Sequence, residues 1–219
     1  MADTYLYLFG GNPEQKEASI DFFQKSGGKQ AKIALLQVYR AGWEDYLHRY
    51  IGHWVANGLD ENNVSVIVPN KDGYIDEQSA LTVLEEATGI YIGGGHTETY
   101  HSLYTSPSFK SIIAKKFYEG VPVAGNSAGA LIAPETVLLS PHDTDSGKAI
   151  ITEGIGLTKD ILISVHYTYW NDAIHLQRGL NHLDFSMGYG IDDDACLVLK
   201  NDQYHCKYGS SHVYEVKKI

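Results

Sequence analysis

The strongest constraint on the fold is a regular alternation of short apolar runs and amphipathic stretches from residue 5 to about residue 133. The apolar runs have the length of buried strands and lie at residues 5–9, 33–38, 64–68, 89–92 and 121–124. Stretches with helical periodicity separate them, at residues 12–25, 43–56, 77–86 and 108–119. This alternation predicts an α/β fold, a three-layer sandwich with a mostly parallel central sheet and helices on both faces.

The pattern changes after about residue 135. A polar loop at 140–148 precedes a strand at 161–165, a helix near 171–183, and strands near 195–199 and 213–216. We expect these strands to be antiparallel additions to the same sheet at its C-terminal end. No repeat, low-complexity tract or long linker interrupts the sequence, so residues 1–219 predict one domain.

The net charge of the chain restricts the kinds of molecule that we expect it to bind. The formal net charge of -10 argues against binding to nucleic acid or to an anionic membrane surface, which favours small molecules or peptides as partners. We find no secretion signal and no apolar run of membrane-spanning length, and therefore expect a cytoplasmic protein. Cys196 and Cys206 flank a predicted hairpin turn, and in a reducing compartment two apolar thiols are favoured over a disulfide.

The pentapeptide at 125–129, Gly-Asn-Ser-Ala-Gly, is the first candidate for chemistry. It follows the apolar run at 121–124 and precedes a helix-like stretch at 130–133, the context in which G-x-S-x-G forms a nucleophile elbow. Small flanking residues allow the sharp turn that exposes the serine oxygen. The pattern predicts Ser127 as a nucleophile; a glycine-rich turn with an incidental serine and a phosphate cradle remain as alternatives.

A run of three glycines, at 93–95, follows another predicted strand. Backbone N–H groups without side chains around them allow close approach of a ligand. This run is a candidate for one half of an oxyanion hole, and the N–H of Ala128, directly after the nucleophile, is the candidate for the other half. A nucleotide-phosphate loop is the alternative, but neither common phosphate fingerprint is present.

His166 is the best-placed general base among the ten histidines, since it ends the strand-like run at 161–165. His48, His53, His175, His182, His205 and His212 lie on predicted helices or near the terminal hairpin, and His101 and His142 lie in predicted loops. A metal site made of His142, His166 and His175 lacks ligands at a recognisable spacing, so we expect neither a metal nor a cofactor.

The acid that would orient His166 is less well defined by the sequence. Asp143 and Asp145 lie in the polar loop between Ser127 and His166, and Glu135 and Glu153 are weaker candidates. We rank Asp143 first and Asp145 second.

In this order the residues resemble the serine peptidases that include dipeptidase E and cyanophycinase, which share a fold with class I glutamine amidotransferases. The resemblance rests on four segments in sequence order, at 93–97, 125–130, 165–166 and 190–195. It implies one peptidase domain in which Ser127 attacks a peptide carbonyl, His166 is the base, and an acid near Asp143 completes the triad. It also implies an oxyanion hole at Gly95 and Ala128, with Gly94 adjacent.

The resemblance further implies an arginine that recognises an acidic substrate group, and Arg178 is the only arginine after His166. This sequence departs from the pattern of the family at two places that affect substrate preference. His96 stands where members of the family often have asparagine, and residues 167–170 differ from the corresponding segment of cyanophycinases. We therefore name His96 and Arg178 as candidate substrate-binding residues.

The leading hypothesis is hydrolysis of small peptides, including dipeptides with an N-terminal aspartate, by an acyl-enzyme on Ser127. The alternative from another class is a non-catalytic ligand-binding or sensing protein on the same scaffold. Amidotransferase chemistry is disfavoured because that relative uses cysteine at the elbow. A homodimer is compatible with the sequence and is not required by it.

Overall fold

The computed structural model describes residues 2–219. Its strands and helices are, in chain order, β1 (Tyr5–Phe9), α1 (Lys16–Lys25), β2 (Ile33–Leu36), α2 (Leu47–Ala56), β3 (Val64–Ile67), α3 (Glu77–Glu86), β4 (Gly89–Ile92), α4 (Thr97–Tyr104), α5 (Pro107–Tyr118), β5 (Val123–Asn126), α6 (Ala128–Leu131), β6 (Thr136–Leu139), β7 (Ile150–Glu153), β8 (Ile161–Val165), α7 (Ala173–Leu183), β9 (Met187–Ile191), β10 (Cys196–Lys200), β11 (Gln203–Tyr208) and β12 (Val213–Lys217). Short 3-10 turns lie at Gly28–Gln30, Trp43–Tyr46 and Glu61–Asn63.

Seven strands form the central sheet, in the order β11-β10-β1-β5-β4-β2-β3. The strands from β1 to β3 in that order pair in parallel, whereas β10 and β11 are antiparallel to their neighbours. The mostly parallel sheet confirms the predicted α/β class.

The residues of β1 show how the sheet acquires a layer on each face. Because side chains alternate along a strand, Leu6 and Leu8 point to one side and pack in the same core as Phe109 and Ile113 of α5. Tyr7 and Phe9 point to the other side, where they join a second core that includes Phe22, Phe23 and the fully buried Trp54 from α1 and α2. The sandwich therefore has two separate apolar cores, one on each face of the sheet.

The C-terminal strands do not all join the central sheet, so the expected arrangement is wrong for β8 and β12. They form a separate three-stranded sheet in the order β12-β9-β8, in which β8 and β9 are parallel. The connection between β8 and β9 contains α7, which is long enough to return the chain in the same direction. β6 and β7 pair only with each other.

The predicted hairpin turn joins β10 and β11, with Lys200 opposite Gln203. Cys196 and Cys206 lie on these strands as free thiols, with different residues opposite each. Among residues 2–219, no helix combines the length and the apolar character needed to cross a bilayer.

The loop that follows β1 connects the two sheets at the ends of their strands. Phe9 O accepts a hydrogen bond from Ser127 N at 3.0 Å, and Gly10 O accepts one from His166 N at 3.2 Å. Asn12 N donates to Asp193 O at 2.8 Å. The segments that follow β1, β5, β8 and β9 consequently converge on one edge of the molecule.

Candidate active site

Ser127 lies between the last residue of β5 and the first residue of α6, in a strained backbone conformation. Its φ is 50° and its ψ is -111°, a region that non-glycine residues rarely occupy and that clusters at functional sites. The turn is tight: a Cβ atom on Gly125 would lie 2.6 Å from Ala130 N, and one on Gly129 would lie 2.6 Å from Gly93 O. These glycines allow the elbow to close with the serine side chain projecting outward.

His166, the residue after β8, contacts Ser127. Its Nε2 is 2.9 Å from Ser127 Oγ, and its side chain is 18% exposed. The ring packs against Trp170, with ring centroids 4.5 Å apart, and Trp170 in turn packs against His142 at 5.3 Å. The structure thus brings together the two side chains that the sequence predicts as nucleophile and base.

The carboxylate behind the imidazole belongs to Asp193, which lies in the connection between β9 and β10. Its Oδ1 is 2.6 Å from His166 Nδ1. A proton on Nδ1 that is donated to this carboxylate leaves the lone pair of Nε2 directed at the serine hydroxyl. Asp193 is not among the acids that the sequence predicts for this role.

The prediction that Asp143 orients His166 is wrong in this geometry. Asp143 is buried, and its Oδ2 accepts a hydrogen bond from Ser140 N at 3.0 Å while its Oδ1 accepts one from Thr97 Oγ1 at 3.3 Å. Oδ2 therefore bonds within the 140–148 loop, Oδ1 holds that loop against the start of α4, and neither oxygen is bonded to the imidazole. Burial raises the pKa of this carboxyl above its ordinary value, against the effect of those hydrogen bonds.

The other three candidate acids form ion pairs away from His166. Asp145 Oδ1 is 2.9 Å from His96 Nε2, Glu135 pairs with Lys159, and Glu153 pairs with Lys110, the last two at 3.6 Å.

Gly11, in the loop after β1, packs directly against the His166–Asp193 pair. A Cβ atom at this position would lie 2.7 Å from Asp193 Oδ1 and 2.7 Å from His166 Nδ1. Both distances are shorter than any ordinary contact of a Cβ atom, so a side chain here would displace one of the two groups. The pair therefore depends on a residue without a side chain at position 11.

Two of the three predicted oxyanion-hole groups have unoccupied N–H donors. The N–H of Gly94 donates to Tyr50 Oη at 3.2 Å. In contrast, the N–H groups of Gly95 and Ala128 donate no hydrogen bond to any group within residues 2–219. Gly95 lies at the cleft with Ser127, and Ala128 follows Ser127 directly. Both donors are therefore free to bind an oxygen near the serine.

The cleft extends to both sides of the elbow, and Gly95, Ser127 and His166 line both sides. The larger side, which we call the acidic lobe, has a volume of about 430 Å³ and is lined further by His96, Thr97, His142, Asp143, Asp145 and Trp170. The smaller side, the arginine lobe, has a volume of about 200 Å³ and is lined further by Pro13, Arg40, Tyr46, Arg49, Tyr50 and Gly94.

His96 lies in the cleft as predicted, but Arg178 does not. Arg178 is an exposed residue of α7 that lines neither lobe. The arginines at the cleft are Arg40, which follows β2, and Arg49, on α2. The pattern of the 43–56 stretch, which contains Arg49, predicts only a helix. Arg40 lies between that stretch and the predicted strand at 33–38, a place where site residues are expected.

Within residues 2–219, one group of side chains has the spacing of a metal site. The ligand atoms of His96, Glu98 and Asp145 all lie within 4.8 Å of one another. His96 Nε2 already bonds to Asp145, and Asp145 N donates to Glu98 Oε2 at 2.8 Å. These contacts link α4 to the 140–148 loop and explain why the three side chains lie close together.

Comparison with known proteins finds relatives among the peptidases. The family model of Peptidase family S51 matches residues 14–207. A cyanophycinase from Synechococcus elongatus is 22% identical over 185 residues, which cover 83% of this chain and 57% of that protein. An uncharacterized peptidase of Bacillus subtilis, YgaJ, is 25% identical over 198 residues, which cover 89% of this chain and 81% of that protein.

A solved structure shows the same fold. The crystal structure of a peptidase from an acI-B1 actinobacterium superposes with a TM-score of 0.72 at 18% identity, and the match covers 98% of this chain and 94% of the other. The chain spans little more than half the length of the cyanophycinase above. Similarity to that longer protein therefore does not assign its activity to this chain.

Proposed function

The chain belongs to peptidase family S51, and on that basis we propose that it is a serine-type peptidase that cleaves small peptides through an acyl-enzyme on Ser127. The family assignment confirms the resemblance found in the sequence. The observation that supports the mechanism best is the continuous line of contacts from Ser127 Oγ through His166 to Asp193 Oδ1, at 2.9 Å and 2.6 Å.

Each group in this line has a defined role in peptide cleavage. Ser127 Oγ attacks the carbonyl carbon while His166 Nε2 takes its proton, and the carbonyl π electrons move onto oxygen. His166 then gives the proton to the nitrogen of the leaving amine as the C–N bond breaks. Water attacks the resulting ester by the same route in reverse, which releases the acid and restores Ser127. The Asp193 carboxylate contacts Nδ1 of the imidazole and stabilises the imidazolium.

The free N–H groups of Gly95 and Ala128 support the same mechanism. A tetrahedral intermediate carries its negative charge on the former carbonyl oxygen, and fixed donors aimed at that oxygen are often the largest single contribution to catalysis. The bond from Gly94 to Tyr50 fixes the glycine loop next to the elbow. We assign Gly95 and Ala128 as the oxyanion hole and Gly94 as a positioning residue.

The shape of the cleft favours short substrates. The lobes on either side of Ser127, of about 430 and 200 Å³, are small, since pockets for drug-sized ligands have volumes of roughly 300–1,000 Å³. Dipeptides are therefore the substrates to test first, with an N-terminal aspartate among them. The contact of Asp193 with His166 favours this catalytic proposal over a non-catalytic binding protein, for which no acid is needed.

Labelling with a fluorophosphonate probe tests the nucleophile. We expect the wild type to be labelled on Ser127, the Ser127→Ala variant to be unlabelled, and His166→Ala to be labelled far more slowly. Ser111→Ala, which changes an exposed serine on α5, should label like the wild type. Equal labelling of the wild type and Ser127→Ala, or full dipeptide hydrolysis by Ser127→Ala, would refute the mechanism.

A further inference from the structure

The cleft has carboxylates on one side of Ser127 and arginines on the other. The acidic lobe holds two carboxylates, and the hydrogen bond from His96 lowers the pKa of Asp145, which therefore stays ionised. The arginine lobe holds no carboxylate among its lining residues but two arginines, Arg40 and Arg49. The chain has only three arginines and a net charge of -10, so two of its three guanidinium groups are concentrated beside the nucleophile.

The two arginines differ in what they already bind. Arg49 Nε is 2.7 Å from Glu14 Oε2 in an ion pair. Arg40 forms no ion pair within residues 2–219, and its guanidinium carbon lies 3.6 Å from the centroid of the Tyr46 ring. Stacking on an aromatic ring restricts the guanidinium while leaving its N–H edge available. Arg40 is therefore a restrained cation whose charge is not neutralised by the protein.

We propose that Arg40 is the residue that selects the substrate, by pairing with a carboxylate of the peptide in the arginine lobe. This inference rests on the proposed function and deepens it. A guanidinium offers two parallel N–H donors to a carboxylate, which gives both affinity and orientation. In the acidic lobe, the exposed carboxylate of Asp145 disfavours a second negative group on the other side of Ser127. The two lobes together fix the direction in which a charged peptide lies across the serine.

A peptide offers two carboxylates to Arg40. One is the side chain of an N-terminal aspartate, and the other is the C-terminal carboxylate of a dipeptide. Three peptides separate them: Asp-Leu carries both groups, Asn-Leu lacks the side-chain charge, and Asp-Leu amide lacks the C-terminal charge. The ratios of kcat/KM for Asp-Leu over each of the other two measure the selection for each carboxylate.

We expect the wild type to prefer Asp-Leu by about tenfold or more in at least one ratio, the effect of losing one charged hydrogen-bonded pair. Arg40→Gln should reduce that ratio to near one by slowing Asp-Leu. Lys29→Gln is the matched control, because it removes a positive charge in the turn before β2, at the opposite end of that strand. It should keep the wild-type ratios. Arg178→Gln, the rival arginine, should also keep them.

The inference is overturned if both ratios in the wild type are near one, if a preference survives Arg40→Gln, or if Arg178→Gln abolishes it. Binding of the same peptides to Ser127→Ala, with and without Arg40→Gln, tests it without turnover. Peptide binding that depends on Arg40 in a protein that hydrolyses nothing would support the inference while refuting the proposed function. Failure of all three peptides to bind Ser127→Ala would overturn the inference.

Discussion

The 140–148 loop and the connection between β9 and β10 both present carboxylates near the cleft, yet of these carboxylates it is that of Asp193, in the second, that contacts His166. The loop lies between Ser127 and His166 in sequence, and its Asp143 is buried with both oxygens bonded to its own surroundings. Asp193 lies 27 residues beyond His166 and is about half exposed, with one oxygen on the imidazole. Proximity in sequence is therefore a poor guide to the acid.

Strand register explains the difference. β8 and β9 are parallel, with Val165 opposite Ile191, so the residues that follow the two strands emerge side by side. That register brings the segment after Ile191 to the segment that begins with His166. The 140–148 loop instead follows β6, which pairs only with β7, and it is tied to the start of α4.

The sharpest test of this comparison replaces each acid by its amide. We expect Asp193→Asn to lower kcat by about 10³–10⁴-fold, because an amide favours the wrong imidazole tautomer and cannot stabilise the imidazolium. Asp143→Asn should keep kcat near the wild-type value. Steady-state dipeptide hydrolysis measures both, with circular dichroism as a control for folding. The reverse order of effects would return the catalytic role to the loop.

A second test moves the His166–Asp193 pair without changing either residue. Gly11→Ala places a Cβ atom where it overlaps both side chains, and misplacement of a catalytic group by roughly 1 Å costs about 100-fold in rate. We expect a kcat/KM loss of that order. Gly52→Ala is the matched control, because a Cβ there meets no atom within 4 Å; it should retain activity and stabilise α2 slightly. Wild-type activity in Gly11→Ala would contradict the geometry of the pair.

The pH dependence of stability tests whether Asp143 is a buried acid with a structural role. Its pKa is raised by burial, so the folded state holds this proton more tightly than the unfolded chain does. The contribution of the carboxyl to stability is therefore greatest below its ordinary pKa of 3.8 and is lost as the pH rises through the window above that value.

The amide of the Asp143→Asn variant cannot ionise, so the variant does not lose stability in this way as the pH rises. The free energy of unfolding of the variant, minus that of the wild type, should therefore increase between about pH 4 and neutrality. Urea denaturation at a series of pH values measures the difference. Stability curves that stay parallel across this range would show that the carboxyl is not perturbed.

The smallest effect is expected at Asp145, the exposed acid of the same loop. It is paired with His96, but solvent screens an exposed ion pair and leaves it little net effect on stability. Asp145→Asn should leave the thermal midpoint and the cleavage of a neutral dipeptide unchanged. A large loss of activity would indicate that the contact between His96 and Asp145 shapes the acidic lobe.

Sequence patterns were sufficient for the parts of the site that follow well-marked strands. The runs at 121–124 and 161–165 are rich in branched residues, and they mark β5 (Val123–Asn126) to within two residues and β8 (Ile161–Val165) at the same bounds. The alternation of such runs with helical stretches predicted the α/β class, and the order of the segments at their ends matched a family.

Asp193 was missed because β9 carries a weak signal. Its sequence, Met-Gly-Tyr-Gly-Ile, contains two glycines, which are depleted in strands. Because β9 was not predicted, the three consecutive aspartates at 192–194 did not follow a predicted strand end. Arg40 was missed although it follows the predicted strand at 33–38, at a strand end where site residues are expected.

The loop after β1 also determines when the site can exist during synthesis. Residues 9–12 are synthesised before Ser127, His166 and Asp193, yet they bond to all three through backbone hydrogen bonds that span more than a hundred residues, and β1 has β10 as one of its two neighbours. Such long-range pairings are slow to form. A nascent chain that has not reached residue 193 lacks the carboxylate that contacts His166, so this arrangement of side chains can form only after that residue has been made.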